Sequence, residues 1–181
     1  IIDMASNDTG GGRESPATVA IASDHAGHAL KADIGNLLVE LGYSLLDLGT
    51  DGPHSVDYPD FADALADALA EGRAERGVLI CGTGIGMAMA ANRHRHVRAA
   101  NCHDTTAARL SRQHNDANVL TLGARVTGAE TASDCLRMFS STAFAADSNA
   151  RPIRRLGQMP SRSGCQSDAL IYQGSNLIHD P

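Results

Sequence analysis

Short apolar runs alternate along this chain with longer stretches whose apolar residues recur at helical spacing, and no other feature constrains the fold so tightly. Val19 to Ala22 reads as a strand, after which Leu30, Ile34, Leu37, Leu38 and Leu41 share a helix face closed by Gly42. Leu45 to Leu48 reads as a second strand. The segment 49–58 is rich in turn residues, and Pro59 opens a helix presenting Phe61, Leu65 and Leu69 on one side. Val78 to Ile80 is a third predicted strand, running into Gly82-Thr83-Gly84-Ile85-Gly86 and the apolar segment Met87 to Ala91. Val97 to Asn101 and Val119 to Leu122 complete a set of five. Between those two, Asp104 caps a helix containing Ala107, Leu110 and Ser111. Thr127 and Glu130 form a capping-box pattern that starts a helix toward Phe144.

Five strand–helix units predict an α/β protein: a single-domain, five-stranded parallel sheet with helices on both faces, a Rossmann-like three-layer sandwich. At 181 residues the chain suits one such domain and is short for two separate cores. Residues 1–17, with Gly10-Gly11-Gly12, read as a flexible leader, 18–156 as the folded domain, and 157–181 as a polar tail. Ile1 to Gly12 lacks the basic region and long apolar segment of a secretory signal, and no apolar run is long enough to span a membrane. A reducing cytoplasm is the default expectation. A net charge of -6 argues against general binding to nucleic acid or membrane surfaces. Aromatic residues at 3% supply few platforms for stacking bases. Cys81, Cys102, Cys135 and Cys165 contain no C-x-x-C pair, so neither a zinc site nor a disulfide framework is expected.

Ligands of such sheets bind beyond the carboxyl ends of the strands, which singles out Ser23–Gly27, Gly49–Tyr58, Cys81–Gly86, Cys102–Asp104 and Gly123–Thr127. In Cys81-Gly82-Thr83-Gly84-Ile85-Gly86, alternate glycines let backbone N–H groups converge, and a helix follows, so the stretch reads as an anion site. A plain strand–turn–helix with a buried cysteine is the bland alternative. A dinucleotide fingerprint would need Gly where Met87 stands, and the Gly-Lys-Ser/Thr of a Walker loop is absent. Cys81 stands at the mouth of the loop, where a thiolate could form. Asp24-His25 follows the first strand, and a carboxylate beside an imidazole suits proton shuttling or hydroxyl binding, although Asp24 can also cap the next helix. His114-Asn115 ends the fourth helix, and Arg151 and Arg155 share one helical face. His94 and His96 could share a strand face as metal ligands, but no third ligand has suitable spacing. Arg93 to Arg98 therefore reads as a solvated loop, and no metal or cofactor is expected.

Five segments, in order, resemble the ribose 5-phosphate isomerase B family, which includes galactose 6-phosphate and allose 6-phosphate isomerases. They are Ser23-Asp24-His25-Ala26-Gly27 with Lys31, Asp57-Tyr58-Pro59, Ile80 to Gly86, Ala90-Ala91-Asn92, and Leu110 to Asp116. The resemblance spans roughly 18–156 and implies a five-stranded parallel sheet carrying a metal-independent aldose–ketose isomerisation through a cis-enediolate. It places the general base at Cys81 beside Thr83. Met87 occupies the position where some relatives carry a Glu base, which favours the cysteine mechanism. The N–H groups of Gly82, Thr83, Gly84, Ile85 and Gly86 would hold the oxyanion. Ring opening falls to His114 assisted by Asp24, sugar hydroxyls to Asp24 and Asn115, and a place in the cleft to Tyr58. Phosphate falls to His25, Arg125, Arg151 and Arg155. Relatives build the site between two subunits, so a homodimer is implied, with dimer pairing left open. The expected partner is a small sugar phosphate, most readily ribose 5-phosphate. A non-catalytic sugar-phosphate or nucleotide binder on the same sheet is the alternative. Pro152 stands where the family often has His, and His28 and His103 occupy variable positions near the cleft.

Overall fold

In a parallel sheet each strand must be followed by a return crossing, and here helices make every crossing. A computed structural model describes residues 16–158; the expected leader (but for its last two residues), Cys165 and most of the expected tail lie outside them. The order is β1 (Thr18–Ser23), α1 (His28–Glu40), β2 (Ser44–Asp47), α2 (Tyr58–Ala70), β3 (Arg76–Cys81), α3 (Ile85–Ala91), β4 (Ala99–Asn101), α4 (Thr105–Asn115), β5 (Val119–Gly123), α5 (Ala129–Ser141) and α6 (Ala146–Gln158). The strands form one parallel sheet ordered β2-β1-β3-β5-β4.

Period-two alternation divides the strand residues between two cores. Val19, Ile21, Val78, Ile80, Leu120 and Leu122 meet the side chains of α1, α4 and α5. Ala20, Ala22, Leu79, Cys81 and Val119 meet α2 and α3. The second interface is built from small residues, so its helices sit close. A Cβ on Gly77 would lie 2.5 Å from Leu65 Cδ2 of α2; on the α1 side, one on Gly27 would lie 2.6 Å from the Ile80 carbonyl oxygen. That second contact brings the start of α1 down onto the end of β3. Lys31 is buried, and its Nζ bonds both oxygens of Asp47 at 2.6 and 2.7 Å, tying α1 to the end of β2. Among the described residues, no helix is long and apolar enough to cross a membrane.

Several local expectations change. β4 begins at Ala99 rather than Val97, because Asn118 Oδ1 takes the Arg98 N–H and Asn118 Nδ2 donates to the His96 carbonyl, diverting the backbone from pairing. The α5 N-cap is Gly128, not Thr127; Thr127 is buried, its N–H bonded to the Gly123 carbonyl, and α5 stops at Ser141. The last helix, on which Arg151 and Arg155 are expected to share a face, runs through Pro152 to Gln158 with Ile153 and Leu156 facing a groove shared with α4. Arg93 to Arg98 is not a freely solvated loop. His94 Nε2 meets Asp63 Oδ1 and His96 Nε2 meets the Ala66 carbonyl, both at 2.8 Å, so α2 holds the turn.

Gly77→Ala should overpack the sheet against Leu65 and cost about 1–3 kcal/mol, while Leu65→Ala should cost about 2–5 kcal/mol through the cavity it leaves. The double variant should lose less than the sum, because the alanine methyl enters the space Leu65 vacates. Urea midpoints of the four proteins measure the coupling.

Candidate active site

Three strand ends meet around Cys81. Its carbonyl accepts from Ala124 N–H at 2.8 Å and the Gly82 carbonyl from Arg125 N–H at 2.9 Å, which fastens the β5–α5 turn to the loop. A Cβ on Gly82 would lie 3.4 Å from Arg125 Cδ, and one on Gly86 would lie 2.9 Å from Tyr58 Cζ, so these two side chains flank the loop. From the other neighbour, Asp24 N–H donates to the Ile80 carbonyl at 3.0 Å. Asp24 Oδ1 accepts from Ala26 and Gly27 N–H at 2.9 and 3.0 Å, so this carboxylate shapes the turn before α1 while its second oxygen has no protein partner among the described residues. His25 Nδ1 lies 3.5 Å from Val56 N–H in the loop after β2. Asp24, His25, Tyr58, Cys81 to Gly86 and Arg125 thus gather at one edge of the sheet.

Inside the loop, Cys81 Sγ accepts the Gly84 N–H at 3.1 Å and Thr83 Oγ1 accepts the Ile85 N–H at 3.3 Å. Two of the five expected oxyanion donors are therefore already engaged. Gly84 has φ +79, a left-handed conformation that glycine adopts without strain. Helix α3 has only seven residues, so its first-turn N–H groups matter more than its dipole. Burial pushes the Cys102 thiol up to about 11 and raises Cys135 as well, which keeps both protonated. Among the described residues, no three His, Cys, Asp or Glu side chains are grouped to hold a metal ion.

His114, Asn115, Arg151 and Arg155 are elsewhere. Helix α4 runs back against the strands, so its last residues reach the edge where strands begin. There Asn118 accepts the Gly77 N–H, at the start of β3. Four residue steps along β5 separate that edge from Gly123, about 13 Å at ~3.3 Å per step. Asp116, at φ 46, ends α4 with its carboxylate between Arg98 Nη2 at 2.8 Å and Arg112 Nη1 at 2.9 Å. Arg112 is buried, also donates to the Ala117 and Thr142 carbonyls, and lies over the Phe139 ring. Helix α6 packs beside α4, and Asn115, Ile153 and Arg154 line a groove of about 810 Å³ with Arg93, Arg95 and Arg98. His114, Asn115, Arg151 and Arg155 are exposed. The expected site residues thus form two groups at opposite edges of one sheet.

The profile of a family described as ribose/galactose isomerase matches residues 19–157. The chain belongs to that family. The ribose-5-phosphate isomerase B of Escherichia coli K12 is 46% identical over 114 residues, covering 63% of this chain and 76% of that protein. A D-erythrulose-4-phosphate isomerase of Pectobacterium atrosepticum is 39% identical over 142 residues, covering 77% of this chain and 93% of the other. The crystal structure of a ribose 5-phosphate isomerase from Thermotoga maritima superposes with a TM-score of 0.77 at 43% identity, over 79% of this chain and 99% of that one. The five-stranded three-layer fold is thus the family's, and the chain is an aldose–ketose isomerase of sugar phosphates.

One further glycine carries the loop. A Cβ on Gly123 would lie 2.6 Å from the Thr83 carbonyl carbon and oxygen. Because the obstacle is backbone, Gly123→Ala should displace the isomerase loop and cost about 1–3 kcal/mol of stability, with a larger proportional fall in kcat than in the fraction folded. Urea unfolding and steady-state kinetics on the same preparation check this.

Proposed function

We propose that this isomerase interconverts ribose 5-phosphate and ribulose 5-phosphate in a homodimer whose sites each draw on both copies. The carrying observation is Cys81 Sγ, 3.1 Å from the Gly84 N–H, at the head of a glycine loop flanked by Arg125 and Tyr58. In this reading the Cys81 thiolate removes the proton alpha to the carbonyl of the open-chain sugar and returns it to the neighbouring carbon. The intermediate enediolate bears negative charge on oxygen, and the loop N–H groups left unengaged by Cys81 and Thr83 face that charge. Asp24 binds a sugar hydroxyl through its unpartnered oxygen and supports ring opening. His25 and Arg125 meet the phosphate from the same copy. The second copy supplies His114 for ring opening, Asn115 for hydroxyl binding, and Arg151 with Arg155 for phosphate, because within one chain a strand's length separates them from Cys81. Ribose 5-phosphate is favoured by the relatives above, and a kcat/KM comparison across four-, five- and six-carbon aldose phosphates tests it against erythrulose 4-phosphate chemistry.

Shared sites give a sharp test. Cys81→Ala should lower turnover by about 10²–10⁴-fold, the worth of a general base, and His114→Ala should also be strongly impaired. Dissociating and reassembling an equal mixture should restore about a quarter of wild-type activity, since half the dimers are mixed and each has one intact site. No recovery overturns the two-copy arrangement, and near-normal turnover in Cys81→Ala overturns the base.

Arg151→Ala or Arg155→Ala should raise KM for the phosphorylated sugar about ten- to a hundredfold, the worth of one charge-assisted contact. Steady-state kinetics with inorganic phosphate as competitor reads the same loss as a weakened inhibition constant.

A further inference from the structure

The peptide between Thr83 and Gly84 is held at both ends. Its N–H donates to Cys81 Sγ at 3.1 Å, and its carbonyl accepts from Asn101 Nδ2 at 3.4 Å. Packing fixes its plane as well. Gly123 backs the Thr83 carbonyl, and a Cβ on Gly84 would strike Asn101 Oδ1 and lie 3.0 Å from the Leu122 carbonyl carbon. Asn101 closes β4, in register with Thr121 of β5, so it reaches the loop from the edge strand. Its Oδ1 is buried with no partner. The amide cannot gain by flipping, because that would set its oxygen against the Thr83 carbonyl.

We infer that Asn101 is a positioning residue for Cys81, acting through the Thr83–Gly84 peptide. The assignment rests on the reading of Cys81 as the base. A donor on the peptide carbonyl restrains rotation of the peptide plane and polarises its N–H. An N–H aimed at the sulfur favours thiolate over thiol. An orphaned buried oxygen opposes folding, so the amide's benefit lies in what its nitrogen holds. The other charged or titratable groups around the loop are Asp24 and His25 from the turn after β1, Tyr58 of α2, Arg125 after β5 and His103 after β4.

Asn101→Leu keeps the approximate shape and removes the donor; Asn101→Ala serves where leucine does not fold. Expected is a fall in kcat of about five- to tenfold, the worth of one hydrogen bond, with KM changed by less than about twofold because substrate is not touched. The ultraviolet thiolate absorbance of Cys81, taken as each protein minus its Cys81→Ala counterpart, should emerge at higher pH in the variants. A purely structural role would lower the unfolding midpoint and leave that absorbance profile unmoved, which overturns the inference. A rise in KM without a change in the profile also overturns it, by making Asn101 a substrate contact. An active Cys81→Ala protein would sink the base assignment alone, and the absorbance profile would still judge Asn101.

Discussion

Strand β3 is paired on both sides, with β1 and β5, and covered on both faces. Everything else is placed relative to it. Because all pairings are parallel, every helix must carry the chain back to the edge where strands begin. Residues just after a strand and residues just before the next one therefore end on opposite edges. Cys81 ends a strand, and Asp24 and Arg125 follow strands; His114 and Asn115 precede one. The division of the candidate site into two groups follows from this single topological requirement.

The edge that carries Cys81 depends on close backbone approach more than on side-chain packing. Gly27 lies on the Ile80 carbonyl, Gly123 on the Thr83 carbonyl, and Gly84 against Asn101. These contacts leave the loop little freedom to reorganise. Preorganised donors are effective because they need not turn toward the charge during reaction. The small residues that line the α2 side of the sheet continue the same logic into the core, setting Tyr58 of α2 over Gly86.

Strand and helix placement was legible because period-two and helical spacings differ plainly, from Val19–Ala22 against Leu30–Leu41 onward. The Asp104 cap was legible too, and its carboxylate accepts the Ala107 N–H at 2.8 Å. Thr127 misled because a capping-box pattern is local, while the buried hydroxyl is engaged by His103 Nδ1 at 3.4 Å. His94 and His96 misled because their partners, Asp63 and Ala66, lie some thirty residues away on α2. The separation of His114 from Cys81 was available in principle from helix direction alone. Asn101 was not: an asparagine ending a short strand has no pattern until β4 is seen beside the glycine loop.

Arg112 binds three acceptors on two separate pieces of chain with one planar group: the Asp116 carboxylate and the adjoining Ala117 carbonyl, and the Thr142 carbonyl after α5. A guanidinium can do this because its donors fan out in fixed directions. Lysine, with the same charge, offers one compact ammonium and could satisfy only part of the set, leaving a buried carbonyl without a donor. The node also joins the end of α4 to the connection that leads into α6. In the two-copy arrangement proposed above, the geometry that His114, Asn115, Arg151 and Arg155 offer a second copy would therefore depend on an arginine that never touches it.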